Sequence, residues 1–416
     1  MSIRINVPDT RCRPGSTISG TVSLHGNEDI DVQFIAISLV ARSKTKIRKS
    51  QANNSSTTYR GRAPLIQSKR GLFTGPHTLH PGHSWPFSFA LPECCAAVGA
   101  DPFKEERGPF NLDRQQSLPP AFNSSNFSYG YSAECFITYE LEASLVGSRA
   151  KLFSSGDLES TRTLQFMTTR DVEIPEPQLT TKTWPISCAS LRLEPGREND
   201  SLTFKEKLKS MRTSKLPMAR FTIRMQLPTV GVPNMNLPII LSVEHNIEDS
   251  SAPSPPLVIL KKCSIFLRAY THIQAIRNEI FNSHDIERNW DETHEIAHCD
   301  FSGQMDKAPP ITEHSDLQYL MKIVIPRHHK PSFSTFNIRR YYNLGIRLSV
   351  ECAQKTFKSE LETYHFDLLA PEYARNVVEP ATASGSNTVE YEAAPVYEAN
   401  AGMPLPRYEE PPKELP

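Results

Sequence analysis

The chain has 416 residues, of which 38% are hydrophobic, so it can bury sizeable cores, and its length predicts two or three domains rather than one. Its 46 Lys and Arg residues balance 46 Asp and Glu residues, and this lack of net charge gives no indication of a nucleic acid partner. The first residues contain no apolar run typical of a signal peptide, and no apolar stretch of about 18 residues could span a membrane. We therefore expect a cytoplasmic protein with at most peripheral membrane association.

The cysteines give no sign of a metal site or a redox motif. None of the eight is spaced from another as C-x-x-C. In a reducing compartment this scatter predicts thiols that are not in disulfides and are mostly buried, and it implies no cofactor. The positions are Cys12, Cys94, Cys95, Cys135, Cys188, Cys263, Cys299 and Cys352.

The first 170 residues are dominated by alternation of apolar and polar residues. This period of two predicts strands that bury one face, and residue types typical of turns separate them, as at residues 13–16. Without intervening helices, such strands favour an antiparallel β-sandwich, predicted for residues 1–170. The predicted strands are residues 3–7, 18–24, 32–40, 85–91 and 134–145.

A basic run interrupts this pattern, with cations at Lys44, Lys46, Arg48 and Lys49 followed by the polar residues 50–58. Two interpretations are open. The run is either a solvated hairpin tip or a contact for acidic cargo segments, phosphate or anionic lipid head groups.

The second half repeats the first in kind. Residues 171–180 begin with the Pro-rich, charged composition of an interdomain linker, and residues 181–370 are predicted to form a second antiparallel β-sandwich. Its alternating strands are residues 221–227, 239–243 and 344–350, and residues 201–215 form either a short helix or a loop.

One motif points to a different class of protein. His294-Glu295-x-x-His298 matches the zinc protease signature, in which two histidines on a helix bind the metal and the glutamate is the general base. On a strand, four residues span about 13 Å, so the two imidazoles could not share a zinc ion. The flanking residues favour a strand, and Glu313 lacks a helix that would present it as a third ligand. We therefore predict no metal and no enzymatic activity, with a zinc metalloprotease as the alternative.

The tail, residues 371–416, is predicted to be disordered and contains Leu405-Pro406-Arg407-Tyr408 and Pro395-Val396-Tyr397. Proline favours the extended polyproline II conformation, which docks in aromatic grooves at low entropic cost. Three residues per turn place Leu405 and Tyr408 on one side of such a peptide. A third motif, Pro371-Glu372-Tyr373, follows the last strand so closely that we expect it to pack against the folded part.

Four segments resemble the arrestin N-terminal domain: residues 13–22 (RPGSTISGTV), 82–92 (GHSWPFSFALP), 118–122 (LPPAF) and 137–141 (ITYEL). Together with the tail, they make the chain similar to the fungal α-arrestins, or arrestin-domain-containing proteins. The resemblance implies two tandem β-sandwiches that select membrane transporters or receptors. It also implies tail motifs that recruit a HECT ubiquitin ligase through its WW domains, promoting ubiquitination, endocytosis and sorting.

Carried over by position, the ligase contacts would be Leu405, Pro406 and Tyr408, with Pro395 and Tyr397 as a second site. The motifs depart from the family pattern because neither tyrosine has two prolines in the usual places. Two weak motifs can compensate through effective concentration if the ligase offers two WW domains. The remaining alternative is a trafficking scaffold of the same fold that recruits no ligase.

Overall fold

The computed structural model describes residues 1–50, 55–95, 116–128, 130–147, 157–168, 178–198, 200–201, 216–277, 284–303 and 307–370. Within these ranges the chain forms β-strands and short 3-10 turns, and no α-helix. All strand pairings but β2 with β10 and β13 with β21 are antiparallel, so the predicted all-β antiparallel fold is confirmed. The strands of the first half are β1 (Ser2–Asn6), β2 (Arg11–Cys12), β3 (Thr17–His25), β4 (Ile30–Ser50), β5 (Ser56–Leu79), β6 (Ser84–Ala90), β7 (Phe122–Ser128), β8 (Tyr131–Gly147), β9 (Leu158–Thr163) and β10 (Gln165–Phe166). Those of the second half are β11 (Leu179–Ala189), β12 (Met218–Pro228), β13 (Val230–Gly231), β14 (Ile240–Asn246), β15 (Val258–Arg277), β16 (His284–Asp300), β17 (Ser315–Asp316), β18 (Phe333–Ser334), β19 (Ile338–Cys352), β20 (Lys355–Glu362) and β21 (Asp367–Leu368).

In the first half, the sheet β1-β3-β6 packs against the strands β5-β4-β8-β7, with β9 beside β8. The predicted alternation on β8 is observed, because Ile137, Tyr139, Leu141, Ala143 and Leu145 are all buried in the core between these layers. Within this core, Tyr139 stacks on Phe166 of β10.

The long hairpin of β4 and β5 differs from the prediction. The expected strand at residues 32–40 continues to Ser50, and β5 begins at Ser56, so residues 50 and 56–58 of the expected polar loop are strand, and residues 51–54 lie outside the described residues. The reason is that Ser43 and Thr45 are buried like apolar residues and have hydrogen-bond partners in the second half of the chain.

In the second half, the sheet β11-β12-β14-β17 packs against β16-β15-β19-β20 around a second core. Short 3-10 turns at Leu191–Leu193 and Leu317–Tyr319 lie outside these strands. The predicted linker lies mostly outside the described residues, as does the expected helix or loop at residues 201–215, so the domain boundaries stay a prediction.

The two halves meet where β5 and β15 pair. Arg60 lies opposite Ile276, and this bridge joins strands of both halves into one sheet. The hydroxyl of Thr45 donates to the carbonyl of Gln274 at 2.6 Å, and Ser43 donates to the Asn337 side chain. These buried polar contacts fix the position of β4, which carries the basic run.

Candidate functional site

The basic run of the sequence lies on the last third of β4. Ser43, Thr45 and Ile47 are buried, so the intervening residues Lys44, Lys46 and Arg48 project from the opposite, outward face of the sheet. Lys49 has the other orientation, with its ammonium nitrogen 5.8 Å from the centre of the Tyr131 ring. Three of the four predicted cations therefore share a surface.

Strand β5 adds two further cations to this surface. In the β4–β5 register, Arg60 lies opposite Lys46 and Arg62 lies opposite Lys44, and directly opposed residues share a face. The sequence prediction missed both arginines, although Arg60-Gly61-Arg62 continues the same period of two. We call the five residues the cationic face: Lys44, Lys46, Arg48, Arg60 and Arg62.

Few carboxylates offset the cationic face. Glu134 on β8 lies 3.6 Å from the Lys46 ammonium, and Arg48 donates to the Ser56 hydroxyl at 3.0 Å. Within the described parts of the chain, Lys44, Arg60 and Arg62 form no ion pair. This end of the sheet therefore carries a surplus of positive charge.

The ion pairs become denser one row further along the sheet. Arg42 pairs with both Glu140 and Glu142 on β8. The hydrogen bond from Arg42 holds the pKa of Glu142 below its usual range, and Lys44 and Arg62 add to this lowering. Arg42 is thus neutralised locally, which sets the boundary of the cationic face.

Two exposed aromatic side chains flank the cations. Phe136 on β8 is directly opposite Lys44, and it is 39% exposed. Phe127 on the edge strand β7 is 77% exposed and lies opposite Ser132, which is itself opposite Arg48. A surface of cations with adjacent exposed rings suits an anionic partner that also has apolar groups.

The zinc-protease motif lies on β16, so the predicted strand is confirmed. A β-bulge at Ile296 inserts one extra residue between the histidines, so that His294 lies opposite Leu267 and His298 opposite Ser264. Leu267 and Ser264 point to opposite faces of the sheet, and the two imidazoles therefore cannot share a metal ion. Nor does any group of three His, Cys, Asp or Glu side chains in the described residues form a metal site.

His294 instead borders a cavity of about 500 Å³ between the two halves. Phe122 and Arg340 also line the cavity. The centres of the His329 and His294 rings are 4.7 Å apart. Burial, together with the neighbouring positive groups, lowers the pKa of His329 to about 4, so its imidazole is neutral near pH 7.

The predicted ligase contacts, Leu405, Pro406, Tyr408, Pro395 and Tyr397, lie outside the described residues, as does the motif at residues 371–373. They stay predictions from the sequence.

A family model described as Arrestin (or S-antigen), N-terminal domain, matches residues 1–102, which include β4 and β5. Residues 1–102 therefore contain an arrestin N-terminal domain. No curated protein matches the sequence significantly. Arrestin-family proteins are generally non-catalytic adaptors, and the domain suggests a role in trafficking. Among the residues that the structure describes, no helix is long and apolar enough to cross a bilayer.

Proposed function

We propose that this arrestin-domain protein is a non-catalytic adaptor that links membrane cargo to a ubiquitin ligase. Its cationic face binds acidic cytosolic segments of a transporter or receptor. The observation that carries this proposal is the gathering of five cations and two exposed aromatic rings on one face of the first sandwich. Binding at such a surface is of modest strength and weakens with salt, because exposed charges are screened within about 10 Å at 0.1 M ionic strength.

The tail supplies the second function in this proposal. Its Pro-x-Tyr motifs at residues 395–397 and 406–408 bind the WW domains of a HECT-type ligase, with Tyr397 and Tyr408 as the aromatic anchors. Ubiquitination of the cargo then promotes its endocytosis and sorting. The protein acts in the cytoplasm and is recruited to the plasma membrane or endosomes when cargo is present.

The cationic face is tested by replacing Lys44, Arg60 and Arg62 together with Gln. Titration with an Asp/Glu-rich peptide that contains one aromatic residue should show severalfold weaker binding than the unaltered protein. The matched control replaces Lys182, Arg220 and Arg224 with Gln, which removes the same charge from β11 and β12. Equal weakening by both triple variants would mean that only net charge matters, and the site would be wrong.

The separate roles of the cationic face in cargo binding and of the tail in ligase binding are tested in cells that express a ubiquitinated cargo. Deletion of residues 390–416 should leave cargo association intact and abolish cargo ubiquitination, whereas the triple Gln variant of the cationic face should keep ligase binding and lose cargo. A tail deletion that removes cargo binding but spares ubiquitination would contradict the assignment. Intact ubiquitination after tail deletion would instead support the ligase-independent scaffold, and one zinc per chain, lost in His294→Ala, would support the metalloprotease.

A further inference from the structure

The cysteines of the second half are arranged in pairs. The sequence places four cysteines between residues 178 and 370, and all four belong to or pack against the second core. Cys263 on β15 lies beside Cys299 on β16, and Cys188 on β11 lies beside Cys352 at the end of β19. None is in a disulfide in this structure.

Cys263 and Cys299 are directly opposite each other in the antiparallel β15–β16 ladder. Opposed residues of such a ladder have Cα atoms about 4.5 to 5.5 Å apart, within the range of about 4.4 to 6.8 Å that disulfides require. A hydrogen bond between the two thiols lowers the pKa of Cys299 and raises the pKa of Cys263. Of the two thiols, that of the partly exposed Cys299 is the one favoured as thiolate.

Cys188 and Cys352 belong to the two opposing sheets of the second sandwich. The Sγ atom of Cys188 lies 3.5 Å from the carbonyl oxygen of Cys352, and a hydrogen bond between the thiols lowers the pKa of Cys188. Both residues are almost completely buried, with 1% and 0% exposure. A bond between them would connect the two layers through the core.

We propose that Cys263–Cys299 and Cys188–Cys352 are reversible disulfide sites, which cross-link the second sandwich within a sheet and between its sheets under oxidising conditions. The oxidant is a low-molecular-weight disulfide such as glutathione disulfide. This inference does not depend on the proposed adaptor function.

The chemistry is thiol–disulfide exchange in two steps. The Cys299 thiolate attacks one sulfur of glutathione disulfide, forming a mixed disulfide and releasing one glutathione thiolate. Cys263, after losing its proton, then attacks the Cys299 sulfur and releases the second glutathione. Two protein thiols are oxidised to one disulfide, and one glutathione disulfide is reduced to two thiols.

The second pair reacts by the same exchange. Since both of its thiols are buried, the oxidant must wait for local opening, and we expect Cys188–Cys352 to form more slowly than Cys263–Cys299. Its effect on stability should be the larger, because it closes a longer loop in the unfolded chain.

Cys135 of the first half offers a contrast. Burial raises the pKa of its thiol to about 12, and its sulfur contacts the carbonyl oxygen of Ser124 at 3.6 Å rather than another cysteine. A buried thiol of this kind has no partner to close a disulfide.

The test uses the full chain, incubated with an excess of glutathione disulfide, alkylated at intervals and digested for mass spectrometry. We expect peptides linked through 263–299 first and 188–352 later, both cleaved by dithiothreitol, and a thermal unfolding midpoint raised by roughly 5 °C in the oxidised protein. Cys352→Ser should remove only the 188–352 link, Cys299→Ser only the 263–299 link, and Cys135→Ser neither.

Peptide mapping of the unaltered protein decides the question even if a variant fails to fold. Complete alkylation of all four thiols after prolonged incubation would overturn the proposal. So would scrambled links, or oxidation confined to the exposed Cys94.

Discussion

At the scale of single residues, Arg340 carries a charge in an almost fully buried environment. Its side chain is 6% exposed and lies 3.2 Å from the Glu292 carboxylate, with the Thr271 hydroxyl as a further acceptor. The guanidinium also lies over the Phe122 ring from the first half, 5.6 Å from its centre. A buried charge must be paired, and Glu292 is the carboxylate that pairs with Arg340. The contact of Arg340 with Phe122 links the second sandwich to the first.

Arg340→Ala should lower the free energy of unfolding by about 1 to 3 kcal/mol, because it empties an almost fully buried position and leaves the buried Thr271 hydroxyl without its donor. The matched control is Arg224→Ala, which removes an arginine that is 51% exposed and paired with Glu244, and it should cost under about 1 kcal/mol. Urea unfolding followed by tryptophan fluorescence measures both. Similar losses for the two variants would show that the half-buried pair of Arg340 and Glu292 contributes no more than a surface pair.

The lowered pKa of His329 predicts that the stability of the protein depends on pH. The charged and titratable groups that face it are His294, His328, Arg340 and Glu292. An unfolded histidine has a pKa near about 6.5, whereas burial lowers the pKa of folded His329 to about 4. Between these values only the unfolded chain binds the proton, so the stability that neutral His329 contributes is present above pH 6.5 and is lost as the pH falls toward 4.

Urea midpoints at about pH 7 and about pH 5 test this difference. The drop in midpoint should be smaller in His329→Gln than in the unaltered protein. Replacement of the exposed His314 by Gln should leave the drop unchanged. If His329→Gln loses as much stability as the unaltered protein between the two pH values, burial of this imidazole does not shape the acid response.

At the scale of strands, the sequence predicts alternation well and register poorly. The period of two identified the buried face of β8 from its own residues, because side chains of a strand alternate whatever its neighbours are. It could not pair Arg60 and Arg62 with Lys46 and Lys44, since the register depends on long-range packing of the hairpin. The sequence pattern also did not predict the bulge at Ile296, which places His294 and His298 on opposite faces of the sheet.

Gly345 on β19 shows how closely neighbouring strands pack. It lies opposite Phe266 of β15, and a Cβ atom at this position would be 2.2 Å from the Phe266 ring. The ring is fully buried, and the guanidinium of Arg347 lies 4.3 Å from its centre. The glycine therefore provides the space that the aromatic ring fills.

Gly345→Ala should destabilise the protein by roughly 1 to 3 kcal/mol, because the ring cannot move without displacing its arginine cover. The control is Gly303→Ala, where an added Cβ would meet no atom within 4 Å. In a double-mutant cycle, Phe266→Leu should relieve part of the cost of Gly345→Ala. Additive losses in that cycle would indicate that the clash with Phe266 is not the cause.

At the scale of the whole molecule, the junction between the halves is polar and buried. Thr45 and Ser43 occupy strand positions that face inward, and their partners, Gln274 and Asn337, are 229 and 294 residues away in sequence. A local pattern cannot indicate such burial, and this explains why the sequence predicts a solvated hairpin tip or a partner contact at the basic run rather than a continued strand. The same contacts hold β4 in place, so the cationic face depends on the second sandwich as well as the first.

The Pro-x-Tyr motifs at residues 395–397 and 406–408 are expected to act together when the chain binds a ligase. Tyr397 and Tyr408 are eleven residues apart, and only Tyr408 has an apolar Leu405 on the same side of a polyproline turn and acidic Glu409 and Glu410 after it. Tyr408→Ala should therefore weaken binding to a ligase's WW domains more than Tyr397→Ala.

The full chain is titrated against a single WW domain and against a tandem pair from one HECT ligase. The comparison distinguishes the affinity of each motif from the gain that comes from having two motifs in one chain. With the tandem pair, the unaltered protein should bind at least about tenfold more tightly than either single variant, because the second motif then binds at a high effective concentration. With a single WW domain, the loss should be confined mainly to Tyr408→Ala. Replacement of Tyr391, which has no proline two residues before it, is the matched control and should change neither titration. If the unaltered chain binds neither form of the ligase, the tail does not recruit one, and the scaffold interpretation of the protein takes its place.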